Sequence, residues 1–155
     1  DDSFATTPES TIIALKSFTG PIILLLGGAD KGADFSQLAR EVKKRVYPVK
    51  SSKAGAKQFH GVKFIILLNG KATPRIKKEL LKVKFEENKM KLVNNIKDAV
   101  AVARQQAGRG DVILLSTACA SFGIFKNYKE RGNLFKKQIK KIKYSHYGFA
   151  IKRQN

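Results

Sequence analysis

The sequence predicts an α/β domain in which a mostly parallel sheet carries helices on both faces. Three observations predict it. Short, continuously apolar runs recur at Ile22–Leu26, at Val62–Leu68 after Lys63, and at Val112–Leu115. Strands that are apolar at every position are buried on both sides, as in parallel sheets. Helix-period segments alternate with these runs, and 155 residues with 43% hydrophobic content suffice for one domain with its own core.

Asp1–Thr6 (DDSFAT) is short and polar and, with no initiator methionine, reads as the end of a linker. Thr7-Pro8-Glu9 is a helix entry: a capping hydroxyl, a proline in the first turn and an acid near the positive end. Leu15 and Phe18 supply its buried side, and Gly20-Pro21 ends it. The first strand, Ile22–Leu26, stops at Gly27-Gly28 and opens into a charged, glycine-rich turn. Phe35, Leu38, Ala39, Val42 and Val46 then share one helix face, Lys43, Lys44 and Arg45 suit its negative end, and Pro48 closes it. Lys50–Gly61 is a basic connector.

The second strand ends in the Asn69-Gly70 turn, and Thr73-Pro74 repeats the helix-entry signal of Thr7-Pro8 before an inner face of Ile76, Leu80 and Val83. Met90–Val93 is a weaker strand. Asn95 with Asp98 resembles a capping box, and Ile96, Ala99, Val100, Ala103 and Ala107 form a small-residue face suited to close packing on a sheet. Gly108–Gly110 ends that helix and Val112–Leu115 runs into Ser116–Ser121. A short helical turn is expected over Phe122–Tyr128, with a longer helix starting at Asn133 whose inner residues are Leu134, Phe135, Ile139 and Ile142. Tyr147, Phe149 and Ile151 alternate at strand period, a candidate antiparallel edge strand in a 144–155 tail. Together this is a three-layer, Rossmann-like arrangement. Right-handed crossovers place its βα loops along one edge, where open α/β sheets bind ligands.

The net charge of +19, from 31 Lys and Arg against 12 Asp and Glu, attracts polyanions without naming one. A single cysteine, Cys119, excludes an intrachain disulfide and, set among alanines, reads as a buried small residue; His60 and His146 are not evident partners for a nucleophile. No apolar run approaches bilayer-spanning length, and the polar start is unlike a signal peptide, so a cytoplasmic protein is expected. No cluster has metal-site spacing and no nucleophilic triad can be assembled.

Two loops carry chemistry. Gly27–Asp34 (GGADKGAD) is neither a P-loop nor a GxGxxG dinucleotide signature. Its glycines, Gly27, Gly28 and Gly32, free the backbone for unusual angles or close ligand approach. Lys31 is a flexible point charge suited to a carboxylate or phosphate; alternatively it pairs with Asp30 or Asp34 and closes the turn. Ser121 and the N–H groups after it can hold an anion at a helix start or form a cap, and Tyr128 is a pocket wall or core.

In chain order, Asp1–Thr6, the Gly27–Phe35 turn, Leu114–Ser121 (LLSTACAS) and Phe125–Asn133 (FKNYKERGN) resemble the Mur ligases. Within that family they are most similar to the carboxyl-terminal domain of the enzymes that add D-glutamate to UDP-N-acetylmuramoyl-L-alanine. The resemblance reaches about Lys143, making 1–6 a linker remnant and 7–143 the domain. It implies a cytoplasmic, ATP- and Mg2+-dependent ligase of peptidoglycan synthesis working through an acyl phosphate. An amino-terminal domain holds the UDP-sugar, a central ATPase domain carries the P-loop and metal ligands, and this domain presents D-glutamate and is inactive alone. By the same resemblance Lys31, Thr6 and Ser121 contact D-glutamate, Phe122 and Tyr128 wall the same site, and Asp2 lies near the nucleotide. The chain departs from the family pattern at four positions: Asp1 stands for asparagine, Phe4 for a linker lysine expected near the ATP phosphates, Thr117 for a usual proline and Gly123 for a common aspartate. Two other readings are a basic module binding nucleic acid non-specifically, for which Lys136, Lys137, Lys140, Lys141 and Lys143 argue, and a degenerate, purely structural ligase domain.

Overall fold

The central strand of the sheet is the run that the sequence makes most apolar. In the computed structural model, which describes residues 2–45 and 61–141, β1 (Ile22–Leu26) is wholly buried. It pairs in parallel with β2 (Val62–Leu68) on one side and β4 (Val112–Leu115) on the other, and β3 (Met90–Val93) pairs in parallel with β2. The sheet order is β3-β2-β1-β4. The four described strands are all parallel.

Alternate residues of β1 point to opposite faces. Ile22, Leu24 and Leu26 pack with α1 (Pro8–Lys16), α2 (Ser36–Lys44) and α3 (Thr73–Lys82), through Leu15, Leu38, Val42, Ile76 and Leu80. Ile23 and Leu25 pack with α4 (Ile96–Gln106) and α5 (Tyr128–Lys141), through Ile96, Ala99, Val100, Ala103 and Phe135. This is the expected three-layer α/β fold. Thr7 caps α1 by accepting from the Ser10 N–H, as its sequence predicts.

Three local expectations are corrected. Thr73 does not cap α3: the cap position is Ala72, and the Thr73 hydroxyl donates instead to the carbonyl of Leu68 at the end of β2. Asn95 does cap α4 through the Asp98 N–H, but the return bond to the Asp98 carboxylate comes from the Asn95 side-chain amide, not its backbone. The last helix starts at Tyr128, five residues before Asn133. Asn127 accepts from the Glu130 N–H there, and the residues ahead of it make a single turn, with Ile124 and Phe125 N–H donating to the Ser121 carbonyl.

Closure at Pro48, the side chains of Val46 and Ile142, His60 and His146, the connector at 50–60 and the candidate edge strand through Tyr147, Phe149 and Ile151 lie outside the described residues.

Candidate functional site

β1 and β4 are neighbours and parallel, so the loops at their carboxyl ends emerge side by side. Backbone bonds stitch them together: Gly27 N–H donates to Thr117 O at 3.0 Å and Ala29 N–H to Ala120 O at 3.0 Å. Ala29 and Ala120 form an isolated antiparallel bridge. The loop after β2 joins them where Ala72 N–H donates to Gly28 O at 3.1 Å. Glycine is required at this junction. Gly28 has φ +149, and a Cβ on it would stand 2.6 Å from Ala120 O. Gly27 has φ +112, and a Cβ there would stand 2.3 Å from Leu68 O. Both are backbone atoms that cannot swing away, in a φ range that L side chains rarely adopt.

Lys31 stands on the rim of this junction. Its Nζ lies 5.3 Å from the centroid of the Phe122 ring, a cation–π distance. Phe122 is 60% exposed, whereas Ser121 beside it is buried. The alternative in which Lys31 closes its own turn does not hold. Asp30 is taken by Arg75 Nη1, at 2.6 and 2.9 Å to its two oxygens, and accepts from Gly32 N–H at 2.8 Å. Asp34 accepts from both the N–H and the hydroxyl of Ser36. These bonds hold both carboxyls below the usual carboxylate range, for Asp30 chiefly through Arg75 and for Asp34 through the Ser36 N–H. Lys31 enters no ion pair among the described residues.

A second cluster fastens the amino-terminal segment to the β4 loop. Asp2 N–H donates to Leu115 O at 2.8 Å, and Ser116 Oγ donates to the Asp2 carboxylate at 2.9 Å. Thr117 Oγ1 donates to Ala5 O, bringing Thr6 alongside the loop. Fully buried Arg131 spans the two: Nη2 to Ser3 O at 2.6 Å, Nε to Ser3 Oγ at 3.0 Å and Nη1 to Cys119 O at 3.0 Å. Burial pulls the guanidinium down to about 10. Burial likewise pushes the Cys119 thiol up to about 12, so this cysteine is the buried small residue expected from sequence.

The structure therefore brings Lys31 to Phe122, which follows buried Ser121, across the two loops joined at Gly27 and Ala29. Gly32 closes the Lys31 turn through Asp30. Tyr128 stands apart from that rim. Its ring meets Phe4 edge-on, 5.2 Å between centroids, and its carbonyl accepts from Ser3 Oγ. Asp2, Ser3, Phe4, Tyr128, Lys129 and Lys136 line an open groove of about 310 Å³, and Lys31, Ser121 and Phe122 are not among its lining residues. Ser121 starts no helix; its carbonyl closes the single turn that follows.

Comparison with known proteins decides the family. A family model described as "Mur ligase, glutamate ligase domain" matches residues 2–119, which hold the Gly27–Asp34 loop and the start of the loop after β4. The chain belongs to the Mur ligase family. Its similar relatives include proteins named UDP-N-acetylmuramoylalanine--D-glutamate ligase. The one from Caldanaerobacter subterraneus is 35% identical over 139 residues, 90% of this chain and 27% of the relative. The one from Roseiflexus is 37% identical over 139 residues, 90% of this chain and 26% of the relative. That of Clostridium tetani is 36% identical over 145 residues, 92% of this chain and 28% of the relative. The chain thus spans about a quarter of the length of these Mur ligases.

Within this Mur ligase domain, sequence reasoning gave no role to Arg75 or Arg131. Arg131 lies inside the FKNYKERGN stretch, but periodicity treats an arginine as surface, and its burial is visible only in the structure. No group of three His, Cys, Asp or Glu among the described residues could hold a metal ion, and Phe4, where the resemblance leads one to expect a lysine, is exposed. No helix among them is long and apolar enough to cross a membrane.

Proposed function

We propose that this chain is the D-glutamate-presenting domain of a longer cytoplasmic ligase, one that joins D-glutamate to UDP-N-acetylmuramoyl-L-alanine through an acyl phosphate in peptidoglycan synthesis. The observation that carries the reading is Lys31: a cation with no carboxylate partner among the described residues, held on a rim built from two stitched βα loops. A dicarboxylate is suited by a charged donor and hydroxyls in a site that closes against water.

In this reading Lys31 pairs with a carboxylate of D-glutamate, Ser121 and Thr6 donate hydroxyls to it, and Phe122 provides a wall. Tyr128 contributes from the neighbouring groove, and Asp2 lies toward the nucleotide. ATP and Mg2+, which would activate the acceptor carboxylate when bound, are assigned in this reading to the central ATPase domain of the longer protein. The domain alone is inactive and its partners are the amino-terminal and central ATPase domains. Nucleic acid is left to non-specific, salt-dependent attraction by the surplus lysines.

The test is Lys31→Ala in the full-length ligase. The KM for D-glutamate rises at least tenfold, with the KM for ATP changed less than threefold. An unaltered D-glutamate KM at normal turnover removes Lys31 from the site.

A further inference from the structure

Arg75 answers a problem that the sequence sets for Lys31. The residue immediately before Lys31 is an aspartate. A lysine meant to receive an acidic ligand is poorly served by a carboxylate next to it, which competes for the ammonium and repels the incoming anion.

The structure removes that carboxylate from play. Arg75, on the first turn of α3, reaches across to Asp30 with Nη1 close to both carboxylate oxygens. Its Nη2 donates to Ala33 O at 2.8 Å, and its guanidinium lies 5.6 Å from the centroid of the buried Phe35 ring. One planar group thus holds the residues on either side of Lys31-Gly32, with its own position set by a ring in the core. Arginine suits this task because its fork is rigid and permanently charged. Lys31 is left facing Phe122, whose ring supplies no competing anion.

We infer that Arg75 is a positioning residue that sequesters Asp30 and so keeps Lys31 available to an acidic ligand. This rests on the reading of Lys31 as a D-glutamate contact, but its first test does not. In the 155-residue chain, the acylation rate of the Lys31 amine is followed by site-resolved mass spectrometry with a small neutral reagent. Arg75→Met slows Lys31 acylation at least threefold, because the released Asp30 pairs with the ammonium. Asp30→Asn/Arg75→Met restores the rate to within twofold, and Asp30→Asn alone leaves it within twofold. Arg75 is half-exposed on a helix surface, and an unchanged amide spectrum checks that each variant is folded.

In the full-length ligase the same variants move the D-glutamate KM in parallel: up about tenfold in Arg75→Met, recovered in the double variant, with kcat little changed. An equal acylation rate in Arg75→Met and the parent overturns the inference. So does an Asp30→Asn variant as impaired as Arg75→Met, since Arg75 would then merely fasten the loop. If acylation follows the pattern and the KM does not, Arg75 keeps its role and the D-glutamate reading of Lys31 falls.

Discussion

Arg131→Met is a sharp test of how the domain holds its amino-terminal segment. Methionine keeps most of the side-chain volume, so the cavity term is small. What is lost is three hydrogen bonds from a buried cation, to Ser3 O, Ser3 Oγ and Cys119 O. Bonds of that kind contribute about 1.5–3 kcal/mol each. Against this, burial has drawn the guanidinium from 12.5 to about 10. At about 1.4 kcal/mol per tenfold in the protonation constant, removing the charge returns about 3 kcal/mol. The balance is a net loss of about 3 kcal/mol. Because Cys119 O also accepts from Thr117 Oγ1 at 3.0 Å, and Ser3 Oγ also donates to Tyr128 O, the damage centres on the fastening of Ser3. Urea unfolding should show a lower midpoint with an unchanged slope, and a thermal midpoint lower by about 6–12 °C. Amide exchange should quicken first at Asp2 and Ala5, whose N–H groups donate to Leu115 O and Asp2 O. A stability change below about 1 kcal/mol, or an Arg131→Lys variant as stable as the parent, would refute the reasoning, since an ammonium cannot reproduce a planar three-way fork.

Two further outcomes can be checked on the same chain. Gly28→Ala should destabilise by about 2 kcal/mol or more, read by urea unfolding, because its Cβ meets Ala120 O at 2.6 Å in a left-handed φ; a neutral result would mean that the loops separate without cost. The Cys119 thiol, raised by burial from 9.0 to about 12, stays protonated in the folded chain where the unfolded chain ionises. Its stabilising contribution is therefore complete below pH 9 and declines as pH rises toward about 12. Between pH 8 and 10 the parent should lose stability more steeply than Cys119→Ala, and folded parent should resist alkylation at pH 8; equal slopes would contradict the burial.

The layers were legible because they rest on apolar periodicity. Every residue of β1 is apolar and buried, and the small-residue face of α4 sits against the sheet as its spacing requires. Placing the start of α5 failed for a physical reason. Its first five residues bury Arg131 and Gly132 rather than aliphatic side chains, so the helical pattern becomes visible only at Leu134. Thr73 misled because a hydroxyl before proline usually caps, whereas here the end of β2 offers it an acceptor. The shared loop edge followed from parallel topology, but the Arg75–Asp30 pairing joins residues 45 apart, and nothing in the spacing of either announces the other.

The amino-terminal segment is where fold and proposed function meet. Residues 2–5 are tied to β4 and its loop at Leu115, Ser116 and Thr117 and to α5 at Arg131. Four anchor points within four residues leave that segment little freedom of its own, so it belongs mechanically to this domain. Thr6 is next in the chain, and Ser121 and Lys31 stand on the stitched loops. If D-glutamate is held by all three, Arg131→Met should weaken D-glutamate binding through Thr6 without touching the ligand, and a titration in which the affinity is unchanged would count against it.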